Sequence, residues 1–212
     1  MLKDGPLFID VRDASPPAKA VAQAVTALRA GEVVVMPTDT VYGVGVSPEV
    51  SGATARLFSL KGRSFDSPLA VLCADAGQAL SLAESPSEAV RRVAESLWPG
   101  PLTLVLRRRA DLTYELGAPS TTIGVRCPDH ALVRAIAAKV GPVATSSANP
   151  HGQPTPRTAA GVIKELGGRV AVVLDGGPCD GAPSTVIDVT THRLRVLRQG
   201  ALSLAAVERL WR

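Results

Sequence analysis

Short apolar runs of strand length alternate with stretches of helical period along the whole chain, and this alternation restricts it to a layered α/β structure. Glu32 to Met36 is a mostly β-branched run closed by Pro37, which reads as a buried strand ending where a loop begins. Before it, Val21, Val25 and Leu28 recur at helical spacing, and Gly31 can end a helix in the left-handed conformation, so a helix to about Ala30 is expected. After the loop Pro37-Thr38-Asp39-Thr40-Val41-Tyr42-Gly43-Val44-Gly45, the positions Val50, Thr54, Leu57 and Phe58 mark a second helix. That helix delivers Lys61-Gly62-Arg63 at its C-terminal end.

The same pattern continues. Strands are expected over residues 69–73, 102–106, 122–126, 170–174, 185–189 and 194–197, with a short apolar stretch at 142–145. Helices are expected over 75–82, 86–98, 130–140, 158–166 and 204–210, with Asp129 placed to cap the third of these and Pro99-Gly100-Pro101 stopping the second. Some neighbouring strands leave no room for a crossover helix, so the expected fold is α/β with a twisted, mixed sheet flanked by helices. One domain over residues 1–212 is the default expectation.

With 46% hydrophobic and 20% charged residues the chain can bury a sizeable core, which excludes a disordered protein. Aromatic residues make up only 3%, which argues against a stacking platform for single-stranded bases. A net charge of +4 permits anionic ligands without specifying one. Cys73, Cys127 and Cys179 stand far apart with no C-x-x-C spacing, so neither a disulfide framework nor a zinc site is indicated, and a reducing cytoplasm fits. The segment Met1-Leu2-Lys3-Asp4-Gly5-Pro6 does not read as a signal peptide, and no run reaches the roughly 18 apolar residues of a membrane span.

No phosphate-binding G-x-x-x-x-G-K-[ST], dinucleotide fingerprint, H-E-x-x-H or G-x-S-x-G is present. What remains is a set of segments at strand or helix ends carrying hydroxyls, amides and cations, where sites usually sit. Thr38, Asp39 and Thr40 follow a strand, as a ligand loop or an ordinary polar turn. Lys61 and Arg63 suit phosphate oxygens, or a favourable helix C-terminus. Arg126 closes an apolar strand and suits a carboxylate, or an ion pair. Ser146-Ser147-Ala148-Asn149, the stretch 183–188 and the segment Leu197-Arg198-Gln199-Gly200 are ambiguous in the same way.

Taken together and in order, PTDTVYGVG, KGRSFDSPLAVL, WPGPLTLVL, TIGVRCPDH, SSANPHGQPTP, PSTVIDV and LRQGAL resemble the YrdC/TsaC family of threonylcarbamoyl-AMP synthases. The likeness runs from roughly Glu32 to Ala201, in the short form without an extra C-terminal domain. It implies a twisted α/β fold with a deep basic cavity. It also implies the reaction of L-threonine, bicarbonate and ATP to threonylcarbamoyladenylate and pyrophosphate, which supplies the N6-threonylcarbamoyladenosine modification of tRNA.

By position, the resemblance assigns threonine binding to Thr40, Arg126, Ser147 and Ser184, and ATP binding to Lys61, Arg63, Ser67, Thr122, Asn149, Arg157 and Arg198. Lys61 and Arg63 are the expected catalytic cations. Mg2+ is expected to ride on the ATP phosphates rather than on protein side chains. Ser64, Ser67, Leu72 and Gln199 depart from residues frequent in the family. A downstream threonylcarbamoyl transferase complex is the implied partner, with contact to tRNA or other RNA as a further expectation. Two competing functions follow from the same likeness: a double-stranded-RNA-binding or ribosome-associated module, and carbamoyl transfer as in a related hydrogenase-maturation protein. Arg107-Arg108-Arg109, the only dense basic cluster, reads as a solvated strand end.

Overall fold

The computed structural model describes residues 5–12, 17–167 and 169–212. In chain order these form β1 (Leu7–Asp10), α1 (Ala18–Arg29), β2 (Val34–Met36), β3 (Gly43–Val46), α2 (Ala53–Lys61), β4 (Ala70–Leu72), α3 (Ala76–Leu80) and α4 (Glu88–Leu97). Then follow β5 (Leu102–Arg107), β6 (Thr122–Arg126), α5 (Ala131–Val140), β7 (Val143–Ser147), α6 (Ala159–Leu166), β8 (Val172–Asp175), β9 (Thr185–Asp188), β10 (Arg195–Arg198) and α7 (Leu204–Trp211).

The ten strands make one mixed sheet in the order β1-β8-β2-β3-β7-β4-β6-β5-β9-β10. Because side chains alternate faces along a strand, paired residues report which face each belongs to. Val125, Val71 and Ala144 stand level across β6, β4 and β7 and all enter the larger core, with Leu57 and Phe58 of α2, Val93 of α4 and Val162 of α6. Leu72 and Val143 stand level on the opposite face, where they join Val34, Met36, Val172 and Leu174. That second core is closed by Val21, Val25 and Leu28 of α1 and by Leu132, Val133 and Ile136 of α5.

Most expected elements form within a residue or two of their reading. Three local expectations are corrected. Gly43 to Val46 is a strand rather than part of a loop: Val44 and Val46 fill the larger core, and all four residues are buried. Ser146 and Ser147 end β7 and pair with Val44 and Gly43, so they belong to the ladder. Asp129 does not cap α5; His130 holds that position without a side-chain cap, and Asp129 accepts a hydrogen bond from Arg134 Nη1 at 3.1 Å. The edge strand β1 was not expected, since its Leu7 and Phe8 remain exposed and the run is four residues long. No helix among the described residues is long and apolar enough to cross a membrane.

Candidate active site

The loop after β2 folds back across the sheet. Met36 pairs with Gly43, and Gly43 with Ser147, which places all three at one end of the ladder. Arg126 stands level with Leu72, and Leu72 with Val143, four residues back along β7 from Ser147. The loop leaving Met36 nevertheless reaches Arg126. Nη1 of Arg126 donates to Thr40 Oγ1 at 2.9 Å, Nη2 to Asp39 Oδ1 at 2.5 Å, and Nε to the Gly100 carbonyl at 3.1 Å. Thr38 holds the loop in shape: its hydroxyl accepts from the backbone N–H of Thr40 and of Val41 and donates to the Val41 carbonyl at 2.7 Å. The ion pair is buried, with Arg126 and Asp39 side chains 7% and 13% exposed. The second Asp39 oxygen and His130 Nδ1 are buried without a hydrogen-bond partner. Burial holds the His130 imidazole below its ordinary pKa, against the opposing pull of the Asp39 charge.

Lys61 and Arg63 are set by the end of α2. Gly62 takes the left-handed conformation at φ 58°, and the N–H groups of Gly62 and Arg63 return to Ser59 and Phe58 carbonyls, a glycine stop that turns the chain sharply. Lys61, 3% exposed, donates from Nζ to the carbonyls of Ser147 and Asn149, the latter at 2.6 Å. Burial, then the Arg63 charge, pulls its pKa down to about 8. Arg63 donates to the carbonyls of Ser67 and Pro68 at 2.6 and 3.0 Å and to Ser146 Oγ at 3.0 Å.

Ser184 lies just before β9. Its hydroxyl pairs with Thr103 Oγ1 at 2.9 Å and accepts from Arg198 Nη2 at 3.0 Å, while its carbonyl accepts from Arg198 Nε at 3.0 Å. Arg198, on the exposed edge strand β10, is thereby held against the residue that precedes β9.

The remaining expected residues separate into two groups. The hydroxyls of Ser147, Thr122 and Ser67 are half-buried and have no protein hydrogen-bond partner, so they are available to a ligand. The Asn149 side chain is committed internally: Nδ2 donates to the Pro150 and Gln153 carbonyls, both at 2.7 Å, and Oδ1 accepts from Thr155 Oγ1 at 2.9 Å. Arg157 is exposed and ion-paired with Asp180, which holds that guanidinium above and that carboxyl below its ordinary pKa. A cavity of about 1170 Å³ lies alongside, walled by Thr122, Arg107, Arg108, Arg109 and Tyr114, and contains none of Lys61, Arg63, Arg126 or Arg198. Within the Arg107–Arg109 cluster, Arg109 pairs with Asp111 and Arg107 Nε donates to the Thr190 carbonyl at 3.3 Å.

Four cations therefore lie in a chain, each acting on the next. After burial, Lys61 is most depressed by the charge of Arg63, Arg63 by that of Arg198, and Arg198 by that of Arg126. Among the described residues only Asp39 is ion-paired with any of the four. Mutual repulsion in a partly desolvated space favours a polyanionic ligand. Sequence reasoning missed Asp39 as the partner of Arg126, Ser146 as an acceptor of Arg63, and Thr103 behind Ser184. Asp39 was in view beside Thr40; the other two pairings join residues more than eighty positions apart and left no local signal.

Comparison with known proteins agrees with this arrangement. A family model covering Sua5, YciO and YrdC, described as telomere recombination, matches residues 26–200. A putative threonylcarbamoyl-AMP synthase of Mycobacterium tuberculosis (strain ATCC 25618 / H37Rv) is 40% identical over 195 residues, covering 92% of this chain and 90% of the relative. The threonylcarbamoyl-AMP synthase of Bacillus subtilis (strain 168) is 38% identical over 205 residues, covering 95% of this chain and 59% of its own length. The crystal structure of P. abyssi Sua5 complexed with L-threonine superposes with a TM-score of 0.90 at 34% identity, over 96% of this chain and 60% of that one. E. coli YciO superposes with a TM-score of 0.85 at 25% identity, over 94% and 98% of the two chains. Matched over most of its length in both sequence and fold, the chain belongs to the Sua5/YciO/YrdC family.

Proposed function

We propose that this chain is a threonylcarbamoyl-AMP synthase, converting L-threonine, bicarbonate and ATP to threonylcarbamoyladenylate and pyrophosphate. The observation that carries this reading is a chain of neighbouring cations, with Lys61 and Arg63 fixed on the residues at and just after the end of β7, Arg198 on Ser184 and Arg126 on Thr40, a site for a polyanion beside a pair suited to an amino acid. Relatives named for this activity, and a structural neighbour holding L-threonine, support it.

In the reaction the threonine amine, once deprotonated, combines with bicarbonate to give a carbamate and water. A carbamate oxygen then attacks the α-phosphorus, and the bond to the bridging oxygen breaks to release pyrophosphate. Arg126 and Thr40 receive the threonine carboxylate and fix its orientation, with the Ser147 hydroxyl and Ser184 assigned to the same ligand. Lys61, Arg63 and Arg198 neutralise the triphosphate and the charge that builds on the departing oxygens. Lys61 does so as a point charge held by two carbonyls, so its ammonium is aimed before the substrate arrives. Thr122 and Ser67 offer hydroxyls to the nucleotide.

Among the described residues no three His, Cys, Asp or Glu side chains gather, and Asp39 is committed to Arg126. In this reading Mg2+ enters with the ATP phosphates. Within the cell the product passes to a threonylcarbamoyl transferase acting on tRNA, in the cytoplasm. Incubating the protein with MgATP, labelled bicarbonate and threonine tests the reading: threonine-dependent pyrophosphate and a labelled, labile adenylate are expected, and folded protein yielding neither overturns it.

A further inference from the structure

One row of residues crosses seven strands on a single face: Val105, Gly124, Ala70, Thr145, Gly45, Val34 and Val172. At one end Val34 and Val172 are buried in the core closed by α1 and α5. Toward the other end that cover is gone, and Ala70 and Gly124 are only half-buried although their strands lie well inside the sheet. Glycine within a strand is unfavourable, so it needs a reason.

The two glycines in the row have different reasons. A side chain at Gly45 would put its first carbon 2.7 Å from Val143 Cγ1 and 2.9 Å from Met36 Cε, so packing alone requires glycine there. At Gly124 the same carbon would meet Thr103 Cγ2 at 3.6 Å, Val105 Cγ2 at 3.9 Å and the Ala70 Cα at 4.0 Å, all ordinary contacts. The φ of Gly124 is not in the left-handed range either. Neither packing nor backbone conformation calls for glycine at 124. Its neighbours on the same face, two residues away on either side, are Thr122, with a hydroxyl free for the nucleotide, and Arg126, the carboxylate clamp. Each step of two residues spans about 7 Å, so Gly124 lies under whatever joins the amino acid to the nucleotide.

We propose that Gly124 is a specificity-determining residue for the adenylation reaction: its missing side chain leaves the floor on which the junction between carbamate and α-phosphate rests. The proposal rests on the synthase reading above. A methyl group at this position would lift the planar carbamate and the α-phosphorus out of line while leaving the arginine clamp untouched.

The test is Gly124→Ala. Its melting temperature is expected to equal or exceed that of the wild type. Calorimetric titration with threonine alone should give a dissociation constant within about threefold of wild type. Titration with α,β-methylene-ATP in saturating threonine should weaken at least about tenfold, with adenylate formation falling in parallel. A Gly124→Ala protein that melts lower than the wild type would show that packing selects the glycine, and the proposal would fall. Unchanged nucleotide affinity and turnover would overturn it equally. A wild-type protein that binds both ligands yet forms no adenylate strikes the synthase reading instead, and one that binds neither strikes both.

Discussion

Arg126 and Asp39 form a buried ion pair at 2.5 Å although one closes β6 and the other follows β2, four strands away in the sheet. The pair pins the loop after β2 across the open face, and Thr40 comes to the guanidinium with it. Removing one member of such a pair strands the other's charge away from water. Asp39→Ala should therefore destabilise the protein by about 3 kcal/mol in denaturant unfolding, while Asp39→Asn, which retains an acceptor oxygen, should lose less. Because Thr40 is then unanchored, KM for threonine should rise more than KM for ATP in both variants. Equal stability of Asp39→Ala and wild type would show that the pair does not hold the loop.

Lys61 is a cation with a depressed pKa. Burial first, and the Arg63 charge second, lower its pKa from 10.5 to about 8. The unfolded chain keeps the proton to higher pH, so between about pH 8 and 10.5 the unfolded state binds more protons and stability rises with pH. Below about 8 the buried ammonium is charged in both states and its burial opposes folding in full. Activity runs the other way, since the charge is what meets phosphate. kcat/KM for ATP, which reports the free enzyme, should fall as pH rises through about 8. Bound phosphate favours the charged lysine, so the corresponding limb in kcat should lie higher. Lys61→Met should abolish both the stability gain and this limb, with turnover down at least about a hundredfold.

Much of this was legible beforehand because local signals and long-range packing agree. The Glu32–Met36 run, the helix ending at Lys61 and the strand ending at Arg126 each carry their own period and stop signal. Gly43 to Val46 was misread because two glycines in four residues mimic a turn, whereas here one of them makes room for Met36 and Val143. Ser146 and Ser147 look like loop formers, yet the ladder with β3 continues through both. The site residues were separable from ordinary turns only by their order along the chain. The commitment of Asp39 to Arg126 depends on tertiary geometry that no local pattern encodes, whereas Asn149 bonds within its own turn, where a turn former is an ordinary choice.

Asn149 should act through its backbone. Its side chain ties Pro150, Gln153 and Thr155 together while its carbonyl accepts from Lys61 at 2.6 Å. Asn149→Ala frees that turn and leaves part-buried groups unpaired, so a loss of about 1 kcal/mol in stability is expected. Lys61 then loses a fixed acceptor, and kcat should fall together with ATP affinity. Asn149→Asp keeps the bond from Thr155 but loses both donors, and should resemble alanine rather than wild type. An Asn149→Asp enzyme with wild-type kinetics would place the side chain outside the working site.

Arg157 is the member of the expected ATP set whose present geometry is least suited to it. Its guanidinium is on the surface, held by Asp180, while the backbone carbonyl of Arg157 accepts from the Cys179 N–H at 2.8 Å. To reach a phosphate the side chain must leave Asp180, so the carboxylate competes with ATP for the same cation. Asp180→Asn should release Arg157 and lower KM for ATP, whereas Arg157→Ala should raise it severalfold, and neither should shift the melting temperature, because exposed pairs contribute little to stability. The difference between the two variants should shrink in high salt, which screens the competition. If both variants match the wild-type KM at low salt, Arg157 and Asp180 are no more than a surface pair, and Lys61, Arg63 and Arg198 carry the triphosphate without it.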